Sequence, residues 1–211
     1  MDSKQHWEQV YTTKASDNVS WFQERADQSL TLIRHTELGK DAAIIDVGGG
    51  ASTLVDDLVA EGFADLSVLD LSSAALDVAK RRLGKHAKAV QWIAGDITQT
   101  DLPINRFDIW HDRAVFHFLT NPTDRQAYVA QVVRAVKPNG HIIVATFAED
   151  GPEKCSGLPV MRYNPNTLHA AFGDNFTLVS HQKESHNTPF GTVQQFVYCY
   201  CRKSLALLEN G

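Results

Sequence analysis

The 211-residue chain contains no run approaching the ~18 consecutive apolar residues that a membrane-spanning helix requires. Its first residues, Met1-Asp2-Ser3-Lys4-Gln5-His6, lack the basic-then-apolar pattern of a secretory leader. A cytoplasmic protein with no membrane partner is expected. Cysteine is scarce: there are three, and Cys199 and Cys201 project the same way along one predicted strand, too near each other for a relaxed mutual disulfide. Reduced thiols are expected. A basic excess is also missing, since 20 Lys+Arg against 25 Asp+Glu leave a net charge of −5, and a nucleic-acid partner gains nothing from bulk charge. Internal repeats, low-complexity tracts and linker-like stretches are lacking too. With 43% hydrophobic and 21% charged residues, the composition suits a folded chain with a sizeable core. One domain spanning 1–211 is expected.

What is present is an alternation of strand and helix. Phe22, Ala26, Leu30 and Ile33 recur at helical spacing in a segment closing near Gly39. Ala43-Ile44-Ile45-Asp46-Val47 is a buried-strand run leading into three glycines, and Leu54, Val55, Leu58 and Val59 mark the next helix, stopped by Gly62. Leu66 to Asp70 is a second strand. Ser72 can cap a helix with Leu76, Ala79 and Leu83 on one face. Val90–Ile93 and Phe107–Trp110 are further strands, followed by a helix from Thr123 ended by Pro138-Asn139-Gly140, a strand His141–Phe147 and a short helix Asn166–Phe172. Two strand-like stretches, Phe176–His181 and Thr192–Tyr200, close the chain around Pro189 and Gly191; the loosest stretch is Glu149 to Pro165. The pattern predicts an open, mostly parallel α/β sheet with an antiparallel C-terminal hairpin.

In such a sheet a ligand binds beyond the carboxyl ends of the strands, where their order reverses. Gly48-Gly49-Gly50 joins the first strand to a helix and lets backbone turn sharply beneath a ligand. Asp46, inside the end of that strand, costs free energy unless donors or a cation meet it. Asp70, with Leu71 beside it, ends the second strand where a carboxylate can accept both ribose hydroxyls. Gly95-Asp96-Ile97 closes the third, offering an acid for an adenine amine and a backbone amide for the ring. A dinucleotide fingerprint would need glycine three residues after Gly50, where Thr53 stands. The set describes a nucleoside site without a phosphate cradle.

Glycine turn, ribose acid, adenine acid and final hairpin together resemble the class I S-adenosylmethionine-dependent methyltransferases over roughly residues 40 to 202. The resemblance implies a Rossmann-like, doubly wound seven-stranded sheet of order 3-2-1-4-5-7-6, strand 7 antiparallel, with helices on both faces. It implies S-adenosyl-L-methionine as cofactor and S-adenosyl-L-homocysteine as product, with Gly48 and Gly50 under the methionine part, Asp70 on the ribose, and Asp96 and Ile97 framing the adenine. Residues 1–39 would form an N-terminal helical lid over a catalytic core of 40–202. The leader His6-Trp7-Glu8-Gln9-Val10-Tyr11 with Val19-Ser20-Trp21-Phe22, the block Asp108-Ile109-Trp110-His111-Asp112-Arg113-Ala114-Val115 and the run Asn121-Pro122-Thr123-Asp124-Arg125 are similar to two branches: thiopurine and tellurite-resistance-type enzymes, and small lysine methyltransferases. Trp7, Tyr11 and Trp21 would then close over the cofactor and Arg113 reach its carboxylate. Trp7 and Tyr11, at i and i+4, read equally as packing anchors of a helix, and Arg113 as an ordinary ion pair.

Methyl transfer from a sulfonium is an in-line displacement in which orientation can be worth roughly 7–11 kcal/mol. A general base serves only an acceptor that must lose a proton. Asp112 and His117 are the candidates, with His111 behind them; His117 reads alternatively as a buried ring within Ala114 to Leu119. Cys155 lies in a glycine-rich loop, and His181, His186 and Glu184 lack tight ligand spacing, so no metal is expected. The expected acceptor is a small-molecule soft nucleophile, a thiol or chalcogen. The alternatives are a protein lysine, which needs an open groove with an acidic rim, and a catalytically silent nucleoside-binding protein.

Overall fold

The computed structural model describes residues 3–13, 15 and 17–205. β1 (Ala43–Val47) is buried at all five positions, as a strand flanked by helices on both faces must be. β2 (Asp65–Asp70) and β3 (Val90–Ala94) extend the sheet in parallel on one side. β4 (Phe107–Arg113) and β5 (Val136–Phe147) extend it on the other. A separate two-stranded hairpin follows, β6 (Lys154–Cys155) with β7 (Leu158–Pro159). The chain then forms β8 (Phe176–Asn187) and β9 (Val193–Lys203), and β9 enters antiparallel between β5 and β8. The main sheet has the order β3-β2-β1-β4-β5-β9-β8. With the small hairpin set aside, this is the seven-stranded order that the resemblance implied.

Helices α2 (Asp27–Arg34), α3 (Leu54–Ala60) and α4 (Ser73–Leu83) pack Leu30, Ile33, Leu54, Leu58, Leu76 and Ala79 against one face. On the other, α5 (Pro122–Ala135) and α6 (Pro165–Phe172) bury Tyr128, Val132, Leu168 and Phe172. Local signals act where expected: Ser72 caps α4 by accepting from the Ala75 N–H at 3.1 Å, and Asn164 and Thr167 form a reciprocal cap on α6. A further helix, α1 (Ser3–Thr13), lies across the carboxyl ends of the strands and against α4. All three cysteines are free.

Several boundaries differ from the sequence expectations. The helix expected from Phe22 begins only at Asp27, because the Gln23 carbonyl accepts from the Thr53 hydroxyl and Arg113 holds the Trp21 carbonyl, which keeps this stretch unwound. Asp27 then places an acid in the first turn, where the helix dipole favours it. The helix from Pro122 stops at Ala135, ahead of Pro138, since Val136 already pairs with Phe107 and the Lys203 ammonium takes the Val133 and Val136 carbonyls at 2.5 and 2.7 Å. β8 runs six residues beyond His181. Its polar alternation reads as a loop in sequence but belongs to a sheet edge with one face toward α2.

Candidate functional site

β1 lies between β2 and β4, so the loops after β1 and β4 part and leave a crevice at their carboxyl ends. Gly48 turns the chain there with φ +71°, and a Cβ on it would come within 2.0 Å of the Val115 side chain. At Gly50 the same test meets the Asp70 carboxylate at 2.4 Å. The three acids predicted from sequence thus stand side by side at the ends of β1, β2 and β3. Asp46 is 3% exposed and Asp70 7%. Asp70 accepts from the Ser72 N–H at 2.8 Å and from the Gly50 backbone. Burial nevertheless pushes its carboxyl up to about 7, the Ser72 and Gly50 N–H groups opposing the rise and the charges of Asp46 and Glu8 adding to it. Leu71, half-buried, follows it. Asp96 is half-buried and held by the Thr98 N–H and hydroxyl at 2.9 and 2.7 Å, with Ile97 buried beneath.

Across this crevice lies α1. Trp7 meets Trp21 and Phe118 edge-on, with ring centroids 5.5 and 5.2 Å away, and the Trp21 indole N–H donates to the Tyr11 hydroxyl at 3.2 Å. The aromatic residues predicted for a lid therefore do meet, as one cluster. Burial, and after it the charge of Asp70, raises the Tyr11 phenol well above its ordinary range. Two polar latches hold α1 down. The Glu8 carboxylate accepts from the Ser73 and Ala74 N–H groups at 2.7 and 3.2 Å, an acid at the start of α4. His6 bonds Ser156, in the turn of the small hairpin, at 3.1 Å. Neither latch carries a local signal, since the partners are 65 and 150 residues apart.

At the end of β4, Arg113 has only 9% of its side chain exposed, yet every guanidinium nitrogen is engaged. Nε donates to the Tyr198 hydroxyl at 3.0 Å, Nη1 to the Trp21 carbonyl at 3.3 Å and Nη2 to Glu184 at 3.2 Å, with the Phe196 ring 4.0 Å beneath. Arg113 also forms part of the wall of a cavity of about 50 Å³ shared with Tyr11, Trp21, Ser29, Asp46, Gly48 and His111.

Asp112 is fully buried and points away from this wall. Its oxygens accept from the Val115 and Phe116 N–H groups at 2.8 and 3.1 Å and from the Tyr128 hydroxyl at 2.5 Å, closing the turn in which Ala114 adopts φ +75°. Burial pushes this carboxyl up to about 6 against those donors. Its hydrogen-bonding capacity serves the turn. His117 is likewise fully buried, its ring packed on Phe118 and Phe147. Nδ1 accepts from the Phe147 N–H at 3.3 Å, which leaves the proton on Nε2, and Nε2 has no partner among the described residues. Burial, with the Arg113 charge second, lowers this imidazole to about 3, so at neutral pH it can donate a hydrogen bond but cannot hold an added proton.

The remaining polar residues separate. His181 is exposed, on the opposite side of β8 from Glu184 and His186, and His186 bonds the Ser20 carbonyl at 2.8 Å. Cys155 is buried, its thiol pushed up to about 12 by that burial. Two residues not foreseen as site members are Ser29 and Glu184. The former is fully buried against His111; the latter joins Arg113 and Gln23.

A family model described as "Methyltransferase domain" matches residues 44–140. Among curated proteins, EEF1A lysine methyltransferase 2 of Danio rerio is 26% identical over 160 residues, 69% of this chain and 69% of that protein. Among solved structures, one concerning conversion of a disulfide bond into a thioacetal group during echinomycin biosynthesis superposes with a TM-score of 0.76 at 15% identity, covering 96% of this chain and 92% of the other. N-methyltransferase NodS of Bradyrhizobium japonicum WM9, in complex with S-adenosyl-L-homocysteine, gives 0.71 at 16% identity over 93% and 97%. No helix among the described residues is long and apolar enough to cross a membrane.

The engagement of Asp112 makes a stability prediction. Asp112→Ala strands two backbone N–H groups and the Tyr128 hydroxyl, and should cost about 3 kcal/mol or more in urea unfolding. A loss below about 1 kcal/mol would show that the turn does not depend on it.

Proposed function

We propose, from the premise that this chain belongs to the S-adenosylmethionine-dependent methyltransferases, that it methylates a soft nucleophile, a thiol or chalcogen, on a small molecule. Bound S-adenosylmethionine supplies an electrophilic methyl group on a cationic sulfur with a neutral thioether as leaving group. The residues present fit that cofactor. Asp46 Oδ2 is buried without a partner among the described residues, and the charges of Asp46 and Glu8 act on Asp70 across the crevice, a setting that favours a cation. At Gly50 the absence of a Cβ lets the Asp70 carboxylate and Ala75 pack against the turn, where a Cβ would come within 2.4 and 2.9 Å of them.

In this reading Asp70, with Leu71 beside it, accepts the ribose hydroxyls, Asp96 takes the adenine amine and Ile97 supports the ring. Gly48 and Gly50 let backbone approach the amino-acid tail, and Asp46 Oδ2 accepts from its ammonium. Trp7, Tyr11 and Trp21 roof the site and exclude water. Arg113 fixes Trp21 through its carbonyl and turns its remaining N–H groups toward the tail carboxylate. The whole chain, 1–211, then works as one unit: residues 1–39 as lid, 40–202 as catalytic core.

The observation that carries the acceptor class is the protonation chemistry beside the site. Asp112 is committed to a turn and His117 lies near 3, so neither can take a proton from an acceptor at neutral pH. A lysine ammonium, at about 10.4, would need such a base, whereas a thiol at about 8.5 already presents a few per cent thiolate. The closed aromatic roof suits a small acceptor, and the neighbour concerned with a thioacetal acts at sulfur. The lysine reading has two observations in its favour: the similarity to EEF1A lysine methyltransferase 2, and an open groove of about 690 Å³ lined by Asp17, Glu24 and Asp27, where Arg25 is already paired with Asp27 at 3.2 Å. The sulfur reading is preferred because Asp112 and His117, the titratable residues after β4, offer no base for the nitrogen. We propose neither a nucleic-acid substrate nor a metal requirement, and a cytoplasmic setting.

S-adenosylhomocysteine release should rise with a panel of small thiols and selenols and stay at background with a lysine-containing peptide. The reverse pattern would overturn the assignment in favour of lysine. A second expectation follows from Asp70. Its carboxyl lies near 7 in the free protein, and ribose hydroxyls donate to the ionised form, so affinity for S-adenosylhomocysteine should strengthen as pH rises through 7 and level off above it. Calorimetric titrations between about pH 5.5 and 8.5 test this. Asp70→Asn should abolish the slope, and a pH-independent affinity in the unaltered protein would contradict the ribose role.

A further inference from the structure

Around Asp46 the cavity wall holds two further residues, His111 and Ser29. Asp46 on β1 and His111 on β4 are directly opposed across the parallel pair, so their side chains leave the same face of the sheet. The His111 Nδ1 lies 2.7 Å from Asp46 Oδ1, and Nε2 lies 2.8 Å from the hydroxyl oxygen of Ser29 on α2. All three are buried, at 3%, 3% and 0% exposure. A carboxylate can only accept, so Nδ1 donates to Asp46, while Nε2 shares a hydrogen bond with the Ser29 hydroxyl. Ser29 also bonds the Tyr198 hydroxyl, which accepts from Arg113 and donates to Glu184 at 3.2 Å. The imidazole is thereby held in plane from both sides.

A purely structural pair would be expected to satisfy both carboxylate oxygens, as buried polar atoms in folded proteins usually are. Here only Oδ1 is satisfied. Oδ2 has no partner among the described residues, and Asp46, His111 and Ser29 all line the cavity of about 50 Å³ beside the glycine turn. That volume suits one small polar group. It lies on the Arg113 and Trp21 side of the turn, away from the ribose acid Asp70.

We infer that His111, braced by Ser29, is a positioning residue for the cofactor's amino-acid tail. By holding Asp46 Oδ1 it aims Oδ2 at the tail ammonium, and it does so without touching ligand. The inference rests on the proposal that the crevice holds S-adenosylmethionine.

Two ligands separate positioning from general integrity: S-adenosylhomocysteine, which has the amino-acid tail, and 5′-methylthioadenosine, which has the same nucleoside and thioether sulfur without it. In calorimetric titrations, His111→Leu should weaken S-adenosylhomocysteine about tenfold or more and leave 5′-methylthioadenosine within about twofold. His111→Asn, which restores an N–H near the Nδ1 position, should recover most of the lost affinity. Ser29→Ala should weaken S-adenosylhomocysteine about threefold or more with the same selectivity, and it keeps the test in force if His111→Leu does not fold. Equal weakening of both ligands, no weakening of either, or an asparagine variant as poor as the leucine one would overturn the positioning role. Failure of the unaltered protein to bind either ligand would instead overturn the cofactor reading on which it rests.

Discussion

A guanidinium that is 9% exposed must be satisfied by protein, and much of this molecule's active face is arranged around that requirement at Arg113. Its three partners come from β9, from β8 and from the unwound stretch before α2. The pairing ties the antiparallel edge of the sheet to the end of β4 and fixes the Trp21 backbone beneath the lid. Trp21 is in turn what Trp7 and Tyr11 pack against. Glu184 carries the compensating charge, which is why the sheet edge that looks loop-like in sequence has to remain a strand as far as Asn187. The Trp21 backbone, the sheet edge and the cavity wall are tied together by one buried cation.

The opposite charge dominates the other side of the glycine turn. Asp70 is buried without a cation, and the charges of Asp46 and Glu8 raise its carboxyl further. Such a grouping is costly in an empty protein and becomes favourable when a cationic, hydroxyl-bearing ligand arrives. Glu8 links this half to the lid, because its carboxylate sits on the first N–H groups of α4, immediately after the strand that carries Asp70. α1 and the Asp70 end of β2 are thus physically adjacent.

Much of this was legible in sequence where the signal is local. The glycine run, the acids at strand ends and the caps at Ser72 and Asn164 all lie within a few residues of what they act on. The order of strands followed from the family resemblance. The contacts that complete the site were not legible, because they are made across the fold. His111 is 65 residues from Asp46 and 82 from Ser29, and Arg113 is 71 from Glu184. Asp112 and His117 show the complementary limit of a local signal. Titratable residues after β4 invite a reading as acid–base groups, and only their surroundings reveal that one closes a turn and the other is held neutral against Phe147. The strand character of residues 182–187 was hidden by polarity that an edge position tolerates.

The function proposed above is that of a site that binds, orients and dehydrates, and leaves ionisation to the acceptor. That claim is tested most directly by the pH dependence of methyl transfer at saturating cofactor, measured with two small thiols of well-separated acidity. If the protein contributes no base, the rising limb of each profile has its midpoint at that thiol's own pKa, and the two midpoints differ as the thiols do. One midpoint common to both thiols would reveal a titrating protein group and contradict the account.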